Sequence, residues 1–267
     1  MAAESRRDGV RSSLLWDVLH EVASARTAET GRMALDIVDV GGGTGGLAVP
    51  FASLGHNVTV VDPSPDALAA AQRRAAEAGA HLAAVQGEAA NLDGVVGIAA
   101  ADLVICHNVL EYVDSPADAM AAIARVLRPR ATVSVLASNA VAAVLHRALA
   151  GRFAEALLLL ARGGDPPGPP DLGGKPFPPD PPGPPGLPGL PDAPRRFTLA
   201  GLTALIEAAG LRPGQAHGVR IFSGLVPAAL VDGDPGSAEA LRALEAAAAL
   251  TPPLRDIAAQ LHILGYR

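Results

Sequence analysis

One segment of the chain has residue types and spacing suited to gripping a ligand through its main chain: Asp39-Val40-Gly41-Gly42-Gly43-Thr44-Gly45-Gly46. Glycine lacks a Cβ, so the backbone there can take positive φ and lie close against a bound molecule. A loop of this kind between a strand and a helix turns free N–H groups toward the ligand. Two chemistries stay open on the glycines alone, because Gly41, Gly43 and Gly46 also satisfy the dinucleotide fingerprint. Asp62, which ends the next apolar run, is placed to accept hydrogen bonds from both hydroxyls of a ribose, and either kind of cofactor offers those. Asp39 separates the two. Standing two residues before Gly41, its carboxylate would repel a pyrophosphate and favour a ligand that carries positive charge.

Such residues need a rigid frame, and the rest of the pattern supplies one. Leu15, Val18, Leu19 and Val22 fall at helical spacing and predict an amphipathic helix over 12–28. Strands are expected at 34–40, 57–62, 81–86, 101–106 and 131–137, with helices between them, notably 65–79 and 115–127. This alternation predicts an α/β fold with a doubly wound parallel sheet. A long helix is expected over 139–161, a helix capped by Thr198 up to 209, and a strand at 219–222. Helices at 237–250 and 254–259 and a last strand at 260–264 complete the reading. The whole of 1–267 is expected to form a single domain. Within it, the stretch 165–194 holds 14 of the 24 prolines, interleaved with glycine, and reads as a disordered insertion.

Composition narrows the function further. The hydrophobic fraction of 49% is inflated by alanine, and aromatic residues make up only 3%, so Leu, Val, Ile and Ala must build the core. Cys106 is the one cysteine, which excludes a disulfide within the chain and a cysteine-based zinc site, so no metal is expected. In its apolar run it reads as a small buried hydrophobe. The N-terminus has no signal-peptide core, and the apolar run 156–161 is far short of the ~20 residues a membrane helix needs. A soluble, cytoplasmic protein with no membrane contact is expected. The net charge of −6 argues against a surface that is basic all over.

Asp39-Val-Gly-Gly-Gly-Thr-Gly, Asp62, Gly87-Glu88-Ala89 and Leu127-Arg128-Pro129, in that order over 37–137, resemble the motifs of the class I S-adenosylmethionine-dependent methyltransferases. The resemblance implies a Rossmann-like sheet, mostly parallel with an antiparallel C-terminal strand. It also implies S-adenosylmethionine as cofactor, held by Asp39, Gly41, Gly43, Thr44, Gly45 and Asp62. Glu88 and Ala89 would lie near the adenine, and the fourth strand would end beside the methyl group. Near that end stands His107, either contacting the ligand or supporting the cofactor loop.

Three further stretches narrow the likeness. Cys106-His107-Asn108-Val109-Leu110-Glu111-Tyr112-Val113, Ser138-Asn139-Ala140 and Gly218-Val219-Arg220-Ile221-Phe222 are similar to bacterial tRNA 5-carboxymethoxyuridine methyltransferases. So is Arg11 ahead of Leu15-Trp16, which the resemblance implies would hold the cofactor's carboxylate. That subgroup esterifies a carboxylate on a modified wobble uridine, which makes tRNA the implied partner. A carboxylate, with a pKa of ~4, is already ionised at neutral pH, so its methylation needs cations to hold it and no general base. Arg147, Arg152, Arg195, Arg196 and Arg220 are candidate cations. Substrate-orienting candidates are His107, Asn139 and Arg220, although Asn139 could cap the long helix and Arg220 could form a salt bridge. The alternatives are a small-molecule O- or N-methyltransferase, an NAD-dependent oxidoreductase and a non-catalytic cofactor-binding protein acting through the proline-rich segment. Turnover of a free metabolite, cofactor specificity and deletion of 165–194 would separate them.

Overall fold

The computed structural model describes residues 2–161, 194–226 and 235–267, and the side chains of 2–13 and 235 lie outside that description. The expected insertion at 165–194 falls, except for Pro194, outside the described residues.

Seven strands form one sheet: β1 (Asp36–Val40), β2 (Asn57–Asp62), β3 (Ala83–Gln86), β4 (Ala101–His107), β5 (Leu127–Ser138), β6 (Arg212–Val219) and β7 (Gln260–Tyr266). Their order is β3-β2-β1-β4-β5-β7-β6, with parallel pairing from β3 through β5. β7 is antiparallel to β5. Arg130 and Ala131 exchange backbone hydrogen bonds with Arg267 at 3.1 and 3.0 Å, and at the other end the Asn139 N–H reaches the Ala259 carbonyl at 3.0 Å. The helices are α1 (Ala2–Thr30), α2 (Ala48–Ser53), α3 (Pro65–Glu77), α4 (Leu92–Val96), α5 (Pro116–Val126), α6 (Ala140–Leu149), α7 (Phe153–Ala161), α8 (Leu199–Ala208) and α9 (Pro235–Ala248).

Local chemistry sets most of these boundaries. α3 and α5 start alike, with a serine hydroxyl (Ser64, Ser115) accepting the amide three residues on and proline in the first turn. Residues 101–106 of β4 are all buried, as expected of a central parallel strand covered on both faces. On one face α1 and α2 bury Leu19, Ala23 and Phe51 against Ile37, Val58, Val60, Leu103 and Ile105. On α5 the buried residues Ala119, Met120, Ile123 and Val126 recur at helical spacing. At the N-terminal edge of the sheet, the Asp102 carboxylate is 1% exposed. It accepts from Arg32 at 2.6 Å, Arg128 at 2.7 Å, Arg26 at 3.3 Å and the Asp36 amide at 3.1 Å.

The described chain forms two compact units, 1–137 with 205–216 and 262–267, and 138–204 with 217–261, and each gathers stretches far apart in the chain. It departs from the sequence reading in three places. The helix expected over 139–161 is two helices, parted at Gly151, which takes φ +73°. The strand expected at 219–222 lies at 212–219 instead, and residues 220–226 turn away. There Glu245 draws the amides of Ile221, Phe222 and Ser223 onto its carboxylate, so they cannot join a ladder. The helix expected at 254–259 is a single 3₁₀ turn, Arg255–Ile257.

Candidate active site

Register brings the C-terminal ends of the central strands level. Val40 lies beside Val61 of β2 and Cys106 of β4, while His107 lies beside Leu136 of β5. Between β1 and β4 the strand order reverses, which is where open α/β sheets bind ligands.

The glycine loop sits over this edge. The Gly41 N–H donates to the Val61 carbonyl at 2.7 Å, and Gly41 takes φ +64° with Val109 where a side chain would go. At Gly42 a Cβ would come 2.6 Å from the Asp39 carboxylate oxygen, so glycine allows that carboxylate under the loop. Asp62 is fixed at both oxygens: Oδ2 accepts from the Gly43 amide at 3.0 Å and Oδ1 from the Ser64 amide at 2.9 Å. A carboxylate has about four acceptor sites, so it keeps capacity for ribose hydroxyls.

Two cavities open here, both within the first unit. One, of about 650 Å³, is lined by Val40, Gly41, Asp62, Glu88, Ala89 and Tyr112, together with Asn108, Asp114, Ser115 and Asp118. The other, of about 220 Å³, is lined by Leu15, Asp39, Gly41, Gly42, Gly46 and Leu47, with His107, Asn108 and Leu136. They share Gly41 and Asn108. The larger offers four carboxylates and no lysine or arginine, a lining hostile to pyrophosphate and compatible with an uncharged adenosine. The smaller places one buried carboxylate among apolar side chains, which suits the cationic end of S-adenosylmethionine.

Asp39 dominates the electrostatics. Burial pushes its carboxyl up to about 7, the Asp62 charge adds to the shift, and a hydrogen bond from the Ala48 amide opposes it. A cation bound beside it would restore the ionised form. Burial, and then the Glu111 and Asp39 charges, push the Cys106 thiol far up, which suits an inert core residue.

Behind the smaller cavity, His107 belongs to a hydrogen-bonded chain inside the sheet. The fully buried Ser134 hydroxyl lies 2.8 Å from Nε2 of His107 and 2.8 Å from Nε2 of His262. The hydroxyl has one proton, so it donates to one ring and accepts from the other, and the two tautomers are coupled. The rings stand edge to face, 5.9 Å apart.

The other expected site residues are placed as follows. Thr44 faces out, and its carbonyl and hydroxyl accept from Arg74 at 3.0 and 3.2 Å. Gly45 is buried beside Val49 and Ala71. Arg11 lies on α1, with its side chain outside the description. Asn139, in the second unit, is 1% exposed. Its amide donates to the carbonyls of Asp256 at 2.9 Å and Ala258 at 2.7 Å and accepts from the Val141 amide at 3.0 Å, which caps α6. Arg220 stands in the second unit at φ +61°.

Several lining residues escaped the sequence reading. Gly42 and Gly46 lay inside the motif already. Asn108 takes φ +56° directly after β4, a conformation asparagine tolerates, and its position after an apolar strand was a usable signal. Asp114 and Ser115 precede Pro116 in a helix-start pattern, which marks α5 but not the cavity it borders.

Among the described residues no helix is long and apolar enough to cross a membrane. Residues 38–135 match the family model described as "Methyltransferase domain". Over 151 residues the chain is 33% identical to tRNA 5-carboxymethoxyuridine methyltransferase of Escherichia coli, covering 54% of this chain and 54% of that protein. The chain thus spans about half the length of this curated relative. It is also 33% identical over 111 residues to ubiquinone biosynthesis O-methyltransferase of Methylocella silvestris, covering 37% and 43% of the two chains. In fold it is similar to an S-adenosylmethionine-dependent methyltransferase of Methanosarcina mazei (TM-score 0.54, 15% identity, 88% of this chain and 93% of that one). Residues 38–135 are thus similar to the methyltransferase-domain family, and the fold is similar to that of a solved S-adenosylmethionine-dependent methyltransferase.

Proposed function

We propose that the chain transfers the methyl group of S-adenosylmethionine to an oxyanion acceptor, the carboxylate of a 5-carboxymethoxyuridine at the tRNA wobble position. Asp39 carries the first half of this reading: it is a buried carboxylate at the end of β1, facing Gly42, with no arginine or lysine paired to it among the described residues. It complements a ligand whose reactive end is cationic. When bound, that cofactor supplies an electrophilic methyl on a sulfonium sulfur, and the S–C bonding pair leaves with the sulfur as the acceptor oxygen bonds to carbon.

The chain's own residues then have three tasks. Asp39 holds the cationic end, and Asp62 fixes the ribose. Leu15, Leu47 and Leu136 exclude water from the smaller cavity, so charges there interact strongly. An acceptor already ionised asks for orientation rather than a base, and orientation supplies much of the rate.

The acceptor's identity is supported by the E. coli relative and by the sequence stretches quoted above. Incubation of the purified chain with methyl-labelled S-adenosylmethionine and total tRNA, followed by digestion to nucleosides, tests it. Label on a carboxymethoxyuridine is the expected result, and unlabelled tRNA beside intact cofactor binding would refute the tRNA reading. A small-molecule O-methyltransferase is the second reading, favoured by the Methylocella relative and by the net charge of −6. It predicts label in a metabolite extract instead.

A further inference from the structure

The second unit gathers cations that nothing in the first unit's site uses. Backbone hydrogen bonds knit four of its segments together around Asn139. The Phe197 N–H donates to the Ser138 carbonyl at 2.9 Å and the Ala140 N–H to the Phe197 carbonyl at 2.9 Å. On the other side the Asn139 N–H reaches the Ala259 carbonyl at 3.0 Å, and the Ala259 N–H reaches the Arg220 carbonyl at 3.1 Å. Arg196 and Arg220 therefore enter from the two flanks of one short junction. α6 leaves the same junction and carries His146 and Arg147.

The turn bearing Arg220 is built with care. Arg220 takes φ +61°, a left-handed conformation that costs a non-glycine residue energy. The turn is kept in place by Glu245, 5% exposed, which accepts from the amides of Ile221, Phe222 and Ser223 at 2.8, 2.9 and 2.7 Å. That carboxylate is thus spent on the backbone and not on the guanidinium. Gly224 closes the turn against α6, where a Cβ would lie 3.5 Å from the His146 Nε2.

Of these cations Arg147 is neutralised by Glu155 at 2.8 Å. Neither Arg196 nor Arg220 pairs with a carboxylate among the described residues, and the Nε of Arg220 is buried without a hydrogen-bond partner. Burial, with Arg220, Arg147 and Arg196 nearby, holds the His146 ring below its ordinary range. A half-buried guanidinium whose Nε lacks an acceptor is costly unless an anion completes it.

We propose that Arg196, Arg220 and His146 form, within the second unit, an oxyanion site for a carboxylate or a phosphate of the substrate. This rests on the anionic-acceptor reading above. The two groups share their recognition chemistry, so the test separates the two sources. The full chain is compared as wild type, R196Q, R220Q and R220K. Each is titrated with free 5-carboxymethoxyuridine, which has a carboxylate and no phosphate, with inorganic phosphate, and with S-adenosylmethionine as a check on folding.

The nucleoside is expected to bind wild type and to weaken about 10-fold or more in R196Q and R220Q, with R220K intermediate and cofactor affinity unchanged. Loss of phosphate binding in the same variants, with nucleoside binding unaltered, upholds the oxyanion site and assigns it to phosphate. Binding of both probes unaltered in R196Q and R220Q, or neither probe binding wild type, overturns the proposal. If R220Q loses cofactor binding through misfolding, R196Q and R220K decide. Probe binding lost in the variants while wild type labels no tRNA leaves this site standing and removes the tRNA reading. Labelled tRNA with an unchanged KM in every variant does the reverse.

Discussion

At the N-terminal edge of the sheet Asp102 is buried among three guanidiniums, whereas at the C-terminal edge Asp39 is almost as deeply buried with another carboxylate, Asp62, as its charged neighbour. Both residues sit in central strands and both are nearly inaccessible. Asp102 has its countercharge within the chain, and its work is to tie α1, β1, β4 and β5 together. Among the described residues Asp39 has the Ala48 amide and no cation, and burial pushes its carboxyl up to about 7. A buried acid with its partners supplied is architecture, and one without them is a receptor for a cation.

The largest effect should come from breaking the satisfied edge. Asp102→Asn leaves three arginines facing a neutral amide, and truncating such a buried pair costs about 3–5 kcal/mol. Because Arg32 reaches solvent, the lower end applies, and calorimetry should show a Tm about 10 °C lower. Cofactor affinity of the folded fraction should stay the same. A Tm close to wild type would mean that Asp102 is not the anchor described.

Asp39→Asn should act in the opposite way. S-adenosylmethionine should bind about 30-fold more weakly, in line with the ~2 kcal/mol of a charge-assisted contact. The Tm of the cofactor-free protein at pH 8 should hold or rise, because a buried charge is gone. Weakened binding together with a lower Tm would put Asp39 in the same structural class as Asp102.

The pH dependence sharpens the contrast. The folded-state value of Asp39, about 7, lies above its unfolded value, so folding favours the protonated acid. Its contribution to stability is present below pH 4 and lost as pH rises through 7. A bound cation reverses the preference. Affinity for S-adenosylmethionine should therefore rise about 10-fold between pH 6 and pH 8 in the wild type and stay flat in Asp39→Asn. Titration calorimetry at the two values measures it, and an equal slope in both proteins would assign the proton elsewhere.

The smallest effect is a control. Asp93 and Arg125 form an exposed pair at 2.7 Å, and solvent screens it. Asp93→Ala should leave the Tm within experimental error. A large drop would show that ion pairing in general, rather than burial, explains Asp102.

What could be read from the sequence follows the same physics. The glycine loop was readable because the backbone itself does the work there: Val109 fills the space where a Cβ of Gly41 would go, and a Cβ at Gly42 would strike the Asp39 carboxylate. The doubly wound parallel sheet was readable from alternation. Leu15, Asn108 and Leu136 were not identified as neighbours, because they come from α1, a turn and β5 and meet only through sheet register. The apolar run 219–222 looks like a strand, and nothing local says that Glu245, more than twenty residues later, pulls it into a turn. For Asn139, helix cap and ligand contact were both open, and the buried amide with three internal partners favours the cap.

The sheet order carries one more consequence, for the sequence of assembly. β7 follows β6 in the chain yet lies between β6 and β5. β6 is therefore made before the strand that joins it to the sheet. A nick or truncation that removes 260–266 would cost two strands rather than one, because β7 is what joins β6 to the other described strands. The β5 side of the sheet is in this sense a keystone arrangement, with its latest-made strand locking in an earlier one.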